Sequence, residues 1–83
     1  MDFWIRIKDL IKTNKLTQEK LCKICNISLA TFVSWIHNER LPDLESAIKI
    51  AKTLNVTVEF LVTGIEPEIT KQDVFNYLQN NLS

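Results

Sequence analysis

A chain of 83 residues with 46% hydrophobic and 24% charged side chains makes one small globular domain and leaves no room for a second core. That apolar content excludes a disordered chain, and no apolar run approaches the ~18 residues of a membrane span. One Gly and two Pro are too few turn-formers for a many-stranded β fold, and the start Met1-Asp2-Phe3-Trp4 lacks the stretches of a signal peptide, so an all-α, cytoplasmic protein is expected. Ten basic and ten acidic side chains balance overall but not locally. Residues 1–42 hold seven basic side chains (Arg6, Lys8, Lys12, Lys15, Lys20, Lys23, Arg40) against four acidic ones, and residues 43–83 hold three against six. A polyanion would bind the first half.

The periodicity predicts six helical segments. The first spans about 2–13, capped by Asp2, with Phe3, Ile7, Leu10 and Ile11 on one stripe. The second begins at Thr17 and presents Leu21, Cys22 and Cys25. The third begins at Ser28, with Phe32, Trp35 and Ile36 periodic. Between them Asn26-Ile27 must turn sharply, and Asn is the best non-Gly residue for a positive φ. Pro42-Asp43 opens the fourth, with Leu44, Ala47, Ile48, Ala51 and Leu54 as its expected stripe. After Thr57 the pattern fits either a strand (Val56, Val58, Phe60, Val62) or a short helix (Val58, Leu61, Val62). With no strand to pair with, the helix is expected, ending at Gly64. The sixth covers 70–82, with Thr70 and Asp73 like a capping box and Val74, Phe75, Leu78 and Leu82 apolar.

The stretch Gln18 to Trp35 carries the functional signal. A tight helix pair needs apolar residues at set intervals, a small residue where the axes cross and a turn-former between. Leu21, Cys25, Ile27, Phe32 and Trp35 form that core set, Cys22 is the small residue and Asn26 the turn. This is helix-turn-helix spacing, whose second helix can enter the DNA major groove.

The run LTQEKLCKICNISLATFVSWIHNERLPDLESAIKIAKTLNVTVEFLVTG resembles the Cro/repressor-type (Xre-like) helix-turn-helix domain. It looks closest to the phage-repressor N-terminal domains with a W-I-x-x-x-R-L-P-D segment. The resemblance covers about residues 3–64. It implies a compact five-helix, lambda-repressor-like bundle that binds double-stranded operator DNA as a homodimer. It places Leu29, Ala30, Thr31, Val33 and Ser34 on the base-reading helix, about 28–37. Asn14, Lys15, Gln18, His37, Asn38 and Arg40 fall where the family meets phosphates, and Asn38 stands where many relatives have Gly. The base-reading positions depart from the common pattern, because no Arg, Lys, Gln or Asn lies between Leu29 and Ile36. Leu29, Ala30 and Val33 suit thymine methyls, and Thr31 and Ser34 offer single hydrogen bonds. The alternative is a protein-interaction module, antitoxin- or antirepressor-like, using Leu29, Val33 and Ile36 as its surface.

Other candidates read more plainly. Cys22-Lys23-Ile24-Cys25 is a C-x-x-C, but a zinc site needs about four ligands and His37 is the single His, so burial is expected and no metal or cofactor. His37 reads equally as a phosphate contact or a solvated helix end. Trp35 is expected in the core. Trp4 lies beside the first stripe, either packed under the C-terminal segment or exposed at an interface. Lys15 is read as a phosphate contact and Lys23 as solvated. Val74, Phe75, Leu78 and Leu82 form either a dimer interface or a face folded back on the domain. No catalytic constellation is present, so an enzyme is not expected. The expected organisation is a DNA-binding domain over 1–64 and a linker with the C-terminal helix over 65–83, with a longer repressor also compatible.

Overall fold

The computed structural model describes residues 2–65, which form five helices and no strand: α1 (Asp2–Thr13), α2 (Gln18–Cys25), α3 (Leu29–His37), α4 (Leu44–Thr53) and α5 (Val58–Thr63). The helix expected over 70–82, with Val74, Phe75, Leu78 and Leu82, lies outside the described residues.

The starts of α2 to α5 follow one chemical rule. Thr17, Ser28, Asp43 and Thr57 each sit in extended backbone, and each side chain accepts the N–H three residues on, at Lys20, Thr31, Ser46 and Phe60. One otherwise orphaned donor is thereby satisfied at each start.

The helix ends follow a second rule. Every described helix leaves through a residue with positive φ: Lys15 (56°), Asn26 (56°), Glu39 (53°), Asn55 (60°) and Gly64 (74°). At the first four the same pair of bonds recurs. The left-handed residue donates to the carbonyl three residues back, and the next residue donates five back: Leu16 to Ile11, Ile27 to Cys22, Arg40 to Trp35 and Val56 to Ala51. These are Schellman closures, in which the residue after the turn normally adds an apolar contact to the helix it has left. Leu16, Ile27 and Val56 do so, half-buried against the core. Arg40 is the exception, a charged and exposed residue at the fourth such position.

Packing then selects the faces. α1 lies against α5, α2 against α3 and α4, and α4 against α5. Phe3, Trp4, Ile7, Ile11, Leu21, Cys22, Cys25, Phe32, Ile50, Ala51, Leu54 and Leu61 form one buried cluster. Each fully enclosed Leu, Ile or Phe contributes roughly 2 kcal/mol of burial.

Three expectations change. On α4 the buried set is Ala47, Ile50, Ala51 and Leu54, whereas Leu44 is 73% exposed and Ile48 is also exposed. The helix is rotated so that Ile50 points inward, because α2 and α5 flank it on that side. Trp4 is buried and not at an exposed interface, and the alternative that it packs under the C-terminal segment lies outside the described residues. Trp35 is half-buried rather than sealed. Trp4 meets Phe3 and Phe32 edge-on, at 5.0 and 5.2 Å between ring centroids, and stacks on Trp35 at 6.3 Å.

Arg6 has a structural task. Its guanidinium donates to the carbonyls of Leu61 (3.0 Å) and Val62 (3.2 Å) at the end of α5 and lies 3.7 Å from the Asp2 carboxylate. A cation there complements the negative end of α5. One of the seven basic side chains of the first half is therefore committed to the fold.

Candidate nucleic-acid interface

The turn between α2 and α3 is set by Asn26. Its left-handed backbone lets Asn26 and Ile27 donate back to Lys23 and Cys22, and Ser28 starts α3 two residues later. Cys22 is buried between the helices, as its small volume requires, and Phe32 is fully enclosed. Anchoring α3 through Phe32 turns the opposite side outward. Leu29, Ala30, Thr31, Val33 and Ser34 are all exposed, with Leu29 at 42% and Val33 at 46%. Ile36 is half-buried against the core, so it does not extend that surface.

Ser34 differs from the threonines that close α1, α4 and α5. Thr13, Thr53 and Thr63 each donate to the carbonyl one turn back. Ser34 instead accepts: the Asn38 amide donates to its carbonyl (2.9 Å) and to its Oγ (3.2 Å). The carbonyl can only accept, so the Asn38 group facing it is the NH2.

The flanking positions are exposed, with one exception. Asn14 donates its amide to the Leu10 carbonyl (2.7 Å), closing the end of α1, and Lys15 follows in left-handed backbone. Gln18 opens α2 and is half-buried. His37 ends α3, and Asn38, Glu39 and Arg40 form the turn beyond it. The left-handed residue of that turn is Glu39, whereas Asn38 has φ −93°. The Arg40 backbone is held at both ends: its N–H donates to Trp35 (2.8 Å) and its carbonyl accepts the Trp4 indole N–H (2.7 Å). Its side chain is left to solvent. Placing Arg40 where Leu16, Ile27 and Val56 pack inward gives up an apolar contact, the kind of local exception that marks a functional position.

Trp4 is the supporting residue that sequence reasoning missed. It spaces with Ile7 and Ile11 at i, i+3 and i+7, a signal that the neighbouring Phe3 stripe obscured.

The C-x-x-C is structural. Both cysteines are buried and free. Burial first, then the neighbouring Cys25, pushes the Cys22 thiol above its usual range and holds it protonated. Cys25 Sγ lies 3.5 Å from Thr53 Oγ1, whose own proton goes to the Lys49 carbonyl, so the thiol is the donor.

A family model described as Helix-turn-helix matches residues 7–61, well over half of the chain. The chain belongs to this Xre-like helix-turn-helix family, and its kind of function is that of a DNA-binding transcription regulator. No curated protein and no solved structure matches it. Among the described residues no helix is long and apolar enough to cross a membrane.

Proposed function

We propose that this protein is a sequence-specific, double-stranded-DNA-binding repressor of phage or prophage type, acting as a homodimer. The observation that carries the reading is α3: Phe32 is sealed in the core while Leu29, Ala30, Thr31, Val33 and Ser34 face outward on a capped, rigidly joined helix. In this reading α3 lies in the major groove. Asn14, Lys15, Gln18, His37, Asn38 and Arg40 position it on the phosphates on either side. Two protomers, joined through Val74, Phe75, Leu78 and Leu82, span half-sites about 34 Å apart.

The test is fluorescence anisotropy with random duplex DNA over a salt series. Affinity is expected to fall steeply with salt, by about 0.9 logarithmic units per phosphate contact for each tenfold rise. Arg40→Ala and Lys15→Ala are expected to weaken all sequences alike, each reducing the slope by about one unit. A folded protein that binds no duplex at low salt would refute the reading. Leu29 and Val33 would then be the centre of a protein-binding face, as the exposure of two large apolar side chains on one helix allows.

A further inference from the structure

We infer that α3 reads thymine, through a Ser34 hydroxyl whose proton Asn38 turns outward and through the methyl-sized apolar surface beside it; the inference rests on the major-groove placement proposed above. The Asn38 amide occupies a lone pair of Ser34 Oγ at 3.2 Å and is itself fixed by the Ser34 carbonyl at 2.9 Å. Ser34 makes no bond to the preceding turn among the described residues, unlike Thr13, Thr53 and Thr63. Its proton is therefore free and directed away from the Asn38 amide, since a donor repels a donor. Oγ keeps a second lone pair, so this arrangement favours, without requiring, a base that offers an acceptor. Thymine O4, guanine O6 and purine N7 do so; the exocyclic amino groups of cytosine and adenine do not.

The neighbouring side chains narrow the choice. Ala30 lies one turn before Ser34, with Cβ atoms about 5–6 Å apart on the same helix face. Leu29 and Val33 form the adjacent ridge, both large, apolar and exposed. A hydroxyl donor beside an apolar surface matches the major-groove edge of thymine, where the O4 acceptor and the C5 methyl are neighbours. Guanine has the acceptor without the methyl, and 5-methylcytosine has the methyl with the wrong hydrogen-bonding sign. Asn38 is thus a positioning residue: it sets which way Ser34 bonds without reaching the base itself.

The experiment uses the full 83-residue chain. Preferred sites are selected from a random duplex library. Each thymine of the best site is then replaced singly, first by deoxyuridine, which removes the methyl, then by 5-methylcytosine paired with guanine, which keeps the methyl and puts an amino donor where O4 stood. At one or more thymines per half-site, deoxyuridine is expected to weaken binding about fourfold, the value of one buried methyl. The 5-methylcytosine duplex is expected to bind about tenfold or more weakly. Asn38→Ala is expected to cut the 5-methylcytosine penalty several-fold and leave the deoxyuridine penalty unchanged. Ser34→Ala, which removes no fold contact except the Asn38 bond, should do the same. Equal binding of thymine and deoxyuridine at every position overturns the inference while the regulatory reading stands. Equal binding of thymine and 5-methylcytosine does likewise. An undiminished 5-methylcytosine penalty in folded Asn38→Ala and Ser34→Ala overturns the part given to this pair. Failure to bind any duplex overturns both.

Discussion

Replacing Trp4 by Phe tests whether the turn after α3 is held from beneath. The indole N–H donates to the Arg40 carbonyl at 2.7 Å, and the ring packs on Phe3, Phe32 and Trp35. Phe keeps an aromatic ring at the site but removes the donor and leaves a void beside Trp35. An acceptor stripped of its partner in a partly buried setting costs about 1–3 kcal/mol. The smaller ring loses about one or two methylene equivalents of burial, at about 0.8 kcal/mol each. The expected destabilisation is about 2–4 kcal/mol. For a domain of this size that lowers Tm by roughly 8–32 °C, at about 4–8 °C per kcal/mol. Far-UV circular dichroism on heating measures it. Anisotropy with duplex DNA at 10 °C, where the variant remains folded, reports on the turn itself. Weaker binding is expected there, since Asn38 and Arg40 lose their fixed backbone. A Tm within about 3 °C of wild type would refute the buttress. Weaker binding with an unchanged Tm would return Trp4 to the interface position that its sequence context also allowed.

Gly64→Ala strains a left-handed backbone (φ 74°) and brings a Cβ within 2.5 Å of Arg6 Nη2 and 2.6 Å of its Nε. Displacing that guanidinium from the end of α5 gives an expected loss of about 2–4 kcal/mol, read by urea unfolding. Glu39→Gly relieves a left-handed non-glycine residue and removes a negative charge next to Arg40. It should raise stability by about 1 kcal/mol and also tighten DNA binding at low salt; a loss of either would contradict the turn geometry. The Asp43 carboxyl is held below the usual carboxylate range by the Ser46 side chain first and then by the Ser46 backbone N–H, to which it is bonded at 3.2 Å. A lowered folded-state pKa gives stability that is fully present above the unfolded value and lost as pH falls through the folded one. Wild type should therefore lose stability below about pH 4. Asp43→Asn, which keeps an accepting oxygen but does not titrate, should lose less over the same range in urea unfolding followed from pH 6 to 2.5.

The helix boundaries were legible because they are local chemistry. Thr17, Ser28, Asp43 and Thr57 cap through their own side chains, and Asn26 takes positive φ because its short polar side chain tolerates it. The helix-turn-helix was legible for the same reason. The spacing of Leu21, Cys22, Asn26 and Phe32 is enough to specify a small crossing residue, a sharp turn and an anchored second helix. The outward position of Leu29, Ala30, Thr31, Val33 and Ser34 follows once Phe32 is known to be inside.

Tertiary structure decided what depends on which neighbour lies opposite. On α4 two apolar phases compete within ten residues, one containing Leu44 and Ile48 and one containing Ile50; only packing against α2 and α5 chooses Ile50. Lys15, Glu39 and Asn55 carry positive φ without being glycine: after Lys15 and Asn55 the next residues, Leu16 and Val56, pack on the core, and after Glu39 the Arg40 backbone is held by Trp35 and Trp4. Arg6 reads as one surface cation among seven until α5 ends beneath it. The bond from Trp4 to Arg40 crosses 36 positions of sequence, a separation at which no local pattern carries information. The sequence alone determined that this chain would present a helix to a partner; the three-dimensional packing determined which residues steady that helix and how its Ser34 hydroxyl is turned.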